Sequence, residues 1–254
     1  MEIKCIQSSF NGGYAAGHRM SVNYAIKNNF EFIWILNNDL TVRKNTLQEL
    51  INAYNKMGVG LYGSITLKSE NPDIVNFGGG TSDDIKSPLR YNDFEGFTLE
   101  KYNSTVGERK VQCIEGSSFL IPLEIIKKYG FMKEDFFMYG EETDYCYRLK
   151  KKGINSFLIT SSIVIHCGEG SFFNSPIVRY YTRRNGLYFE KTHYNISIIS
   201  NIQKRSGIFK IIKFFVKFFL NKSKKDSLYY INLANIHALF NVKGKLKNCR
   251  FLKT

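Results

Sequence analysis

Apolar and polar positions change their spacing several times along the chain, and each change marks an element. Residues 1–9 predict a short strand, followed by Asn11-Gly12-Gly13-Tyr14-Ala15-Ala16-Gly17, a glycine-rich turn where positive φ and close backbone approach are permitted. Over 18–28, Met20, Val22, Ala25 and Ile26 are spaced as on one helix face, and Asn28-Asn29 is a stop signal. Phe30-Glu31-Phe32-Ile33-Trp34-Ile35-Leu36 then reads as a buried central strand ending in Asn37-Asn38-Asp39. A helix over 44–56 and a strand over 59–66 repeat the alternation, which predicts for the first third an α/β fold with a largely parallel sheet.

The stretch 68–110 is polar and turn-rich, with Gly78-Gly79-Gly80 and Asp83-Asp84, and reads as a binding loop or an insertion. Residues 112–122 contain a strand around Gly116-Ser117-Ser118, and 123–129 a short helix. A helix over 141–152 and strands over 154–159 and 163–166 follow. Beyond residue 200 the character turns basic and amphipathic, which divides the chain into a core, 1–200, and a helical tail, 201–254. In that tail Lys210, Lys213, Lys217 and Lys224 recur at helical spacing, while Ile208, Ile211, Ile212, Phe215, Val216, Phe218 and Phe219 cover most of the remaining circumference. Two readings fit: a helix lying in an anionic membrane interface, or a core-packing helix with a wet lysine face.

A chain of 254 residues with 43% hydrophobic content buries one substantial core and is not a disordered tail. No stretch approaches the roughly 20 apolar residues of a spanning helix, and no charged-then-apolar leader opens the sequence, so the expected location is the cytoplasm. The 5 cysteines are odd in number and lie far apart, which points to reduced thiols rather than a disulfide framework or a zinc site. A net charge of +14 suits nucleic acid, anionic lipid or an anionic substrate. No helix-turn-helix, zinc-finger or RNA-binding signature accompanies it, so nucleic acid is the remote alternative and is not expected as a partner.

Three places carry chemistry. Asn37-Asn38-Asp39 ends a buried strand, where open α/β sheets bind ligands, although a helix cap or turn is the ordinary reading of Asp39. Phe136-Phe137-Met138-Tyr139-Gly140 precedes Glu141, Glu142 and Asp144 at a helix start. Surface pairing within that helix is one reading of the acids. The other is that the aromatic residues reduce their solvation, raising a carboxyl pKa as a base requires. His166 closes an apolar strand; with a carboxylate it makes a reasonable set for Mg²⁺ or Mn²⁺.

The order of these motifs, with Gly116-Ser117-Ser118-Phe119-Leu120-Ile121 between them and Tyr180-Tyr181-Thr182-Arg183-Arg184-Asn185 after His166, resembles the family 2 glycosyltransferases, in particular the rhamnosyltransferase-like branch. The resemblance runs from about residue 11 to about 246. It implies a GT-A-type, Rossmann-like mixed sheet flanked by helices. Asn37, Asn38 and Asp39 stand at the family's Asp-x-Asp position, so Asp39 is expected to hold a divalent cation against the donor diphosphate, with His166 as the late metal ligand. Glu142 matches the second acid of the family's Glu-Asp pair, the usual base, one methylene longer than Asp; Glu141 is its competitor. Gly116, Ser117 and Asp144 match substrate-binding positions, Gly13 and Gly17 the donor side, and Arg183 and Arg184 add charge near the diphosphate. The implied reaction is inverting transfer of a sugar, rhamnose for example, from a nucleotide-sugar donor to a hydroxyl of a surface polysaccharide or lipid-linked glycan, at the inner face of the plasma membrane.

The resemblance implies a strand, a helix and a strand before the Asn-Gly-Gly-Tyr region, so two βα units, roughly 60–80 residues, are expected to be missing from this chain. The expectation is a chain of little activity alone, with a separate polypeptide supplying the rest as one explanation. A partner-dependent or inactive fragment that binds glycan or another protein is the alternative function.

Overall fold

The computed structural model describes residues 3–80, 94–167, 175–206 and 227–247, together with positions 209, 212, 213 and 216. Most of the basic 204–225 stretch therefore lies outside the described residues, as do Asp83-Asp84. Residues 3–8 form no strand, because Ile3 and Ile6 fall on opposite faces of an extended chain; Ile3, Ile6 and Phe10 are all exposed. Helix α1 (Tyr14–Lys27) starts inside the predicted turn, which shrinks to 11–13.

The chain then alternates as strand β1 (Phe32–Leu36), β2 (Leu40–Val42), α2 (Thr46–Met57), β3 (Leu61–Lys68) and β4 (Val75–Phe77). Next come α3 (Leu99–Thr105), β5 (Arg109–Val111), β6 (Ser118–Pro122) and α4 (Leu123–Tyr129). A 3-10 turn (Glu134–Phe136) leads to α5 (Glu141–Lys150) and β7 (Ser156–His166). Helices α6 (Pro176–Tyr194), α7 (Ile198–Ser206) and α8 (Ser227–Leu239) complete the described elements.

The sheet runs β1-β6-β3-β7-β2, with β4 on β3 and β5 on β7. The α/β alternation does send β1 and β3 the same way, but they are not neighbours: β6 stands between them, antiparallel to both. Only β3 and β7 pair in parallel, so the sheet is mixed rather than largely parallel. The two predicted strands over 154–166 are one. Ser64 faces Ile159 and the next residue, Ile65, faces Ile163, so Thr160-Ser161-Ser162 form a bulge inside β7. Its polar residues are what break the apolar run in sequence. Ser162 Oγ turns inward, 2.8 Å from Ser64 Oγ, and donates to the Thr46 carbonyl at 2.9 Å.

Alternation along β3 gives each face its own core. Leu61, Ile65 and Leu67 pack with Ala15, Val22 and Ala25 of α1, Ile125 and Ile126 of α4, and Tyr145 and Leu149 of α5. Tyr62 points the other way, onto Leu50 and Ala53 of α2 with Phe157 and Ile159. A separate aromatic core joins α6 to α8 through Tyr180, Tyr181, Tyr230 and Ala234, and it includes Phe137.

Candidate active site

Strand β2 pairs antiparallel with the end of β7, Leu40 opposite His166, which brings the preceding Asp39 beside that histidine. His166 Nε2 lies 3.3 Å from Asp39 Oδ1. The two are not aligned as donor and acceptor, and the buried Nε2 has no hydrogen-bond partner among the described residues. Its side chain is 15% exposed and that of Asp39 44%, so the nitrogen is enclosed while the carboxylate reaches water. An imidazole nitrogen left without a hydrogen bond beside a carboxylate is a donor set that fits Mg²⁺ or Mn²⁺. No third His, Cys, Asp or Glu completes a cluster among the described residues. Asn38 is exposed, and Asn37 continues the β1–β6 ladder by donating its N–H to the Ser117 carbonyl at 3.0 Å.

That ladder carries the site to Gly116 and Ser117. Tyr14, the first residue of α1, donates its hydroxyl to the Gly116 carbonyl, and a Cβ at Gly116 would lie 2.8 Å from that hydroxyl, closer than real side chains come. Buried Ser117 and Thr66 each donate to Glu115 Oε2 at 2.7 Å. On its other side Tyr14 gives its main-chain N–H to the Phe137 carbonyl at 2.9 Å. Gly13, at φ 89, must be glycine there, since a Cβ would run into that same carbonyl. Gly17 lies on the exposed face of α1 with open space around it, so nothing among the described residues demands a glycine there.

The acids at the start of α5 divide into two kinds. Glu141 is 3% exposed and its Oε2 has no hydrogen-bond partner among the described residues. Burial, and then the neighbouring Glu142 charge, hold its carboxyl well above the ordinary range. Burial also pushes half-buried Glu142 up to about 7; the Glu115 carboxylate adds to the rise, while the main-chain N–H groups of Glu142 and Gly140 oppose it. The Tyr14 hydroxyl is raised by burial and then by Glu142, Glu141 and Glu115, which puts all four groups within one electrostatic neighbourhood.

Asp144 is different. Arg148 Nε donates to its Oδ2 at 2.7 Å, and His193 Nε2 and Lys133 Nζ lie 2.8 and 3.4 Å from its Oδ1. Burial alone would raise this carboxyl, but those partners outweigh it and lower it. With both oxygens engaged and the side chain 1% exposed, Asp144 ties α5 to α6 instead of facing a substrate. Arg184 is likewise 0% exposed, with its guanidinium directed at the carbonyls of Phe136 and Gly244, so it is not placed to meet a diphosphate. Arg183 donates to Asn235 and Asn201.

Sequence reasoning assigned no role to Glu115, Tyr14, Thr66 or Asn185. Glu115 directly precedes the Gly116-Ser117 pair and Tyr14 follows Gly13, which are signals of a kind; Thr66 has none, being one of many strand hydroxyls.

The mixed sheet flanked by helices is a GT-A-type fold, shown by the likeness to a solved glycosyltransferase. The structure superposes on GalNAc-T7 solved with UDP, GalNAc and Mn²⁺ with a TM-score of 0.52, at 15% identity, covering 92% of this chain and 45% of that one. In sequence the chain is similar to the low-salt glycan biosynthesis hexosyltransferase Agl10 of Haloferax volcanii, 26% identical over 162 residues. That alignment covers 61% of this chain and 48% of Agl10, so the match spans about half the length of that relative. It is also similar to the dTDP-rhamnosyl transferase RfbF of Shigella flexneri, 22% identical over 92% of this chain and 77% of RfbF. No protein-family profile matches the chain. The likeness to family 2 glycosyltransferases of the rhamnosyltransferase-like kind thus rests on motif order, fold and these relatives together.

Proposed function

We propose that this protein transfers a sugar from a nucleoside-diphosphate donor to a hydroxyl of a surface polysaccharide or lipid-linked glycan, inverting the anomeric carbon. The observation that carries the reading is the pair of sites on one connected frame. A carboxylate and an imidazole nitrogen without a hydrogen bond meet at Asp39 and His166, and hydrogen bonds through Ser117, Gly116 and Tyr14 lead to the loop before Glu142, whose carboxyl is pushed up to about 7 by burial.

In this scheme Glu142 accepts the proton of the acceptor hydroxyl. The freed oxygen pair forms the new bond to the anomeric carbon, and the bond to the diphosphate breaks with its electrons leaving on phosphate oxygen. A carboxyl with a pKa near the working pH is present as base in a large fraction and still drives the transfer. Asp39 and His166 would hold Mg²⁺ or Mn²⁺, which neutralises charge on a diphosphate leaving group. Burial and the Glu115 carboxylate keep the proton affinity of Glu142 high, and Glu141, shielded from water and unbonded at Oε2, stands beside it. RfbF, by its name a dTDP-rhamnosyl transferase, makes dTDP-rhamnose the first donor to try.

The test is release of dTDP from dTDP-rhamnose, with UDP-hexoses in parallel, in the presence of a surface-glycan fraction. Release stimulated by Mn²⁺ or Mg²⁺ and lost in Asp39→Asn is the expected result. Absence of metal-stimulated release from any of these donors sinks the reading.

We extend the proposal to an acceptor at an anionic membrane on the cytoplasmic side, a reading that an exposed apolar and basic stripe supports. Phe209, Ile212 and Val216 are 83, 54 and 54% exposed and share one helical stripe with exposed Lys213. No helix among the described residues is long and apolar enough to cross a membrane. Vesicles containing phosphatidylglycerol are expected to co-sediment the protein and pure phosphatidylcholine vesicles to leave it in solution; equal behaviour removes the membrane from the proposal.

A further inference from the structure

The loop that presents Glu141 and Glu142 follows a path that bulky residues avoid. Phe137, Tyr139 and Gly140 have φ of 68, 66 and 98°, all left-handed, and two of the three are aromatic. A non-glycine residue in such a conformation is strained and persists only where its surroundings over-determine it. The surroundings here come from the middle of α6. Asn185 Nδ2 donates to the carbonyls of Phe136, Met138 and Tyr139 at 3.0, 2.8 and 2.8 Å. Its Oδ1 accepts from Arg184 Nε at 3.0 Å, which settles the orientation of the amide. The Arg184 guanidinium donates to the Phe136 and Gly244 carbonyls at 2.8 and 2.7 Å, and Gly244 N–H reaches the Asp135 carbonyl at 2.7 Å. With Tyr14 N–H on the Phe137 carbonyl, every carbonyl from 135 to 139 has a donor outside the loop. Both Arg184 and Asn185 are 0% exposed, and Arg184 lies 4.9 to 5.8 Å from the ring centres of Tyr180, Tyr181 and Tyr188.

We propose that Asn185, backed by Arg184, is the positioning residue of this enzyme: its amide holds loop 136–140 in the left-handed path that sets where the Glu141–Glu142 pair stands. The proposal rests on reading Glu142 as the base, since it is the base that the loop delivers. Asn185 touches no reacting atom. Its effect passes through three carbonyls to Gly140, the N-cap of α5, and from there to the carboxylates. The groups that face Glu142 are Glu115 from the segment before β6, Tyr14 from α1, and Glu141, Tyr139 and Cys146 from its own loop and helix. Loop 136–140 carries Tyr139 and leads directly into Glu141 and Glu142 among these groups.

The experiment compares the 254-residue protein with Asn185→Ser and Asn185→Gln, following the Glu142 carboxyl by ¹³C NMR titration, melting temperature, and turnover of dTDP-rhamnose. In Asn185→Ser the Glu142 midpoint is expected to fall from about 7 toward the ordinary carboxylate range as water enters. The kcat is expected to fall about 100-fold, the scale of a misplaced reacting group, with KM for the donor nearly constant. Asn185→Gln keeps an amide one methylene longer, preserves the fold if Asn185→Ser does not, and is expected to move both readouts in the same direction by less. A folded variant with an unchanged Glu142 midpoint and unchanged kcat overturns the proposal and leaves Asn185 a packing residue. If the wild type turns over no nucleotide sugar, the proposed function fails, while the titration still decides whether Asn185 sets the surroundings of Glu142.

Discussion

Asp39 and His166 stand on strand ends with few protein partners, whereas Glu141 and Glu142 stand at a helix start beneath a loop whose carbonyls are all held from outside. The first corner is open on the Asp39 side and has an imidazole nitrogen without a hydrogen bond, an arrangement that a cation and a diphosphate can complete. The second is walled by protein, and its two acids keep raised pKa values because main-chain N–H groups only partly offset their burial and the neighbouring carboxylates add to it. Side chains that could take up a ligand tolerate loose edges, while carboxyls raised by burial need a fixed wall around them.

The largest effect that tests this contrast is on turnover. Glu142→Gln is expected to lower kcat about 1000-fold, within the range of general-base removal, and to abolish a rising limb of the pH profile near 7. If the rising limb survives in Glu142→Gln, the base is elsewhere on the wall, with Glu141 the first candidate.

Next comes a stability change that separates Asp144 from the other acids. Removing one partner of a buried, paired charge costs about 3–5 kcal/mol, so Asp144→Asn should lower the urea midpoint sharply. The Asp144 carboxyl is lowered from its ordinary 3.8, so its contribution is present above that value and is lost as pH falls through the lower folded value. The deficit of Asp144→Asn should therefore shrink in strong acid. A deficit independent of pH would mean that packing, not charge, holds α5 to α6.

The smallest effect has the opposite sign. Glu142 is raised from 4.5 to about 7, so the fold is favoured with the proton on and loses that advantage as pH climbs from the first value through the second. Because the difference corresponds to at most roughly 3 kcal/mol, Glu142→Gln should melt higher than wild type at pH 8 and level with it at pH 4. Equal melting at both pH values would show that water reaches Glu142 and that the two corners do not differ in kind.

Helices whose apolar faces repeat locally were readable with few errors: the expected 44–56, 123–129 and 141–152 stand at Thr46–Met57, Leu123–Tyr129 and Glu141–Lys150. Strand neighbours were not. That β6 separates β1 from β3, and that Thr160-Ser161-Ser162 interrupt one strand and do not end it, depend on which chain lies alongside. The same division runs through the site. Asp39, Glu142 and His166 announce themselves by residue type at the end or start of an element. Glu115 and Asn185 act on groups far along the chain, Asn185 on carbonyls 46 to 49 positions upstream, and local pattern carries no trace of such contacts.

By itself the sequence determined the α/β alternation, the polar ends of its strands, and the residue types able to bind a cation or accept a proton, because periodicity and chemical type are local properties. Tertiary structure alone decided which acid is which. Asp144 finds three partners that hold its carboxyl low, Glu141 finds no cation among the described residues and is raised by burial beside Glu142, and Glu142 is raised by burial beside Glu115. It also turned Arg184 from a surface cation into a buried brace. The physical reason is that burial and partner distance set the free energy of a charge, and neither exists until separate segments meet.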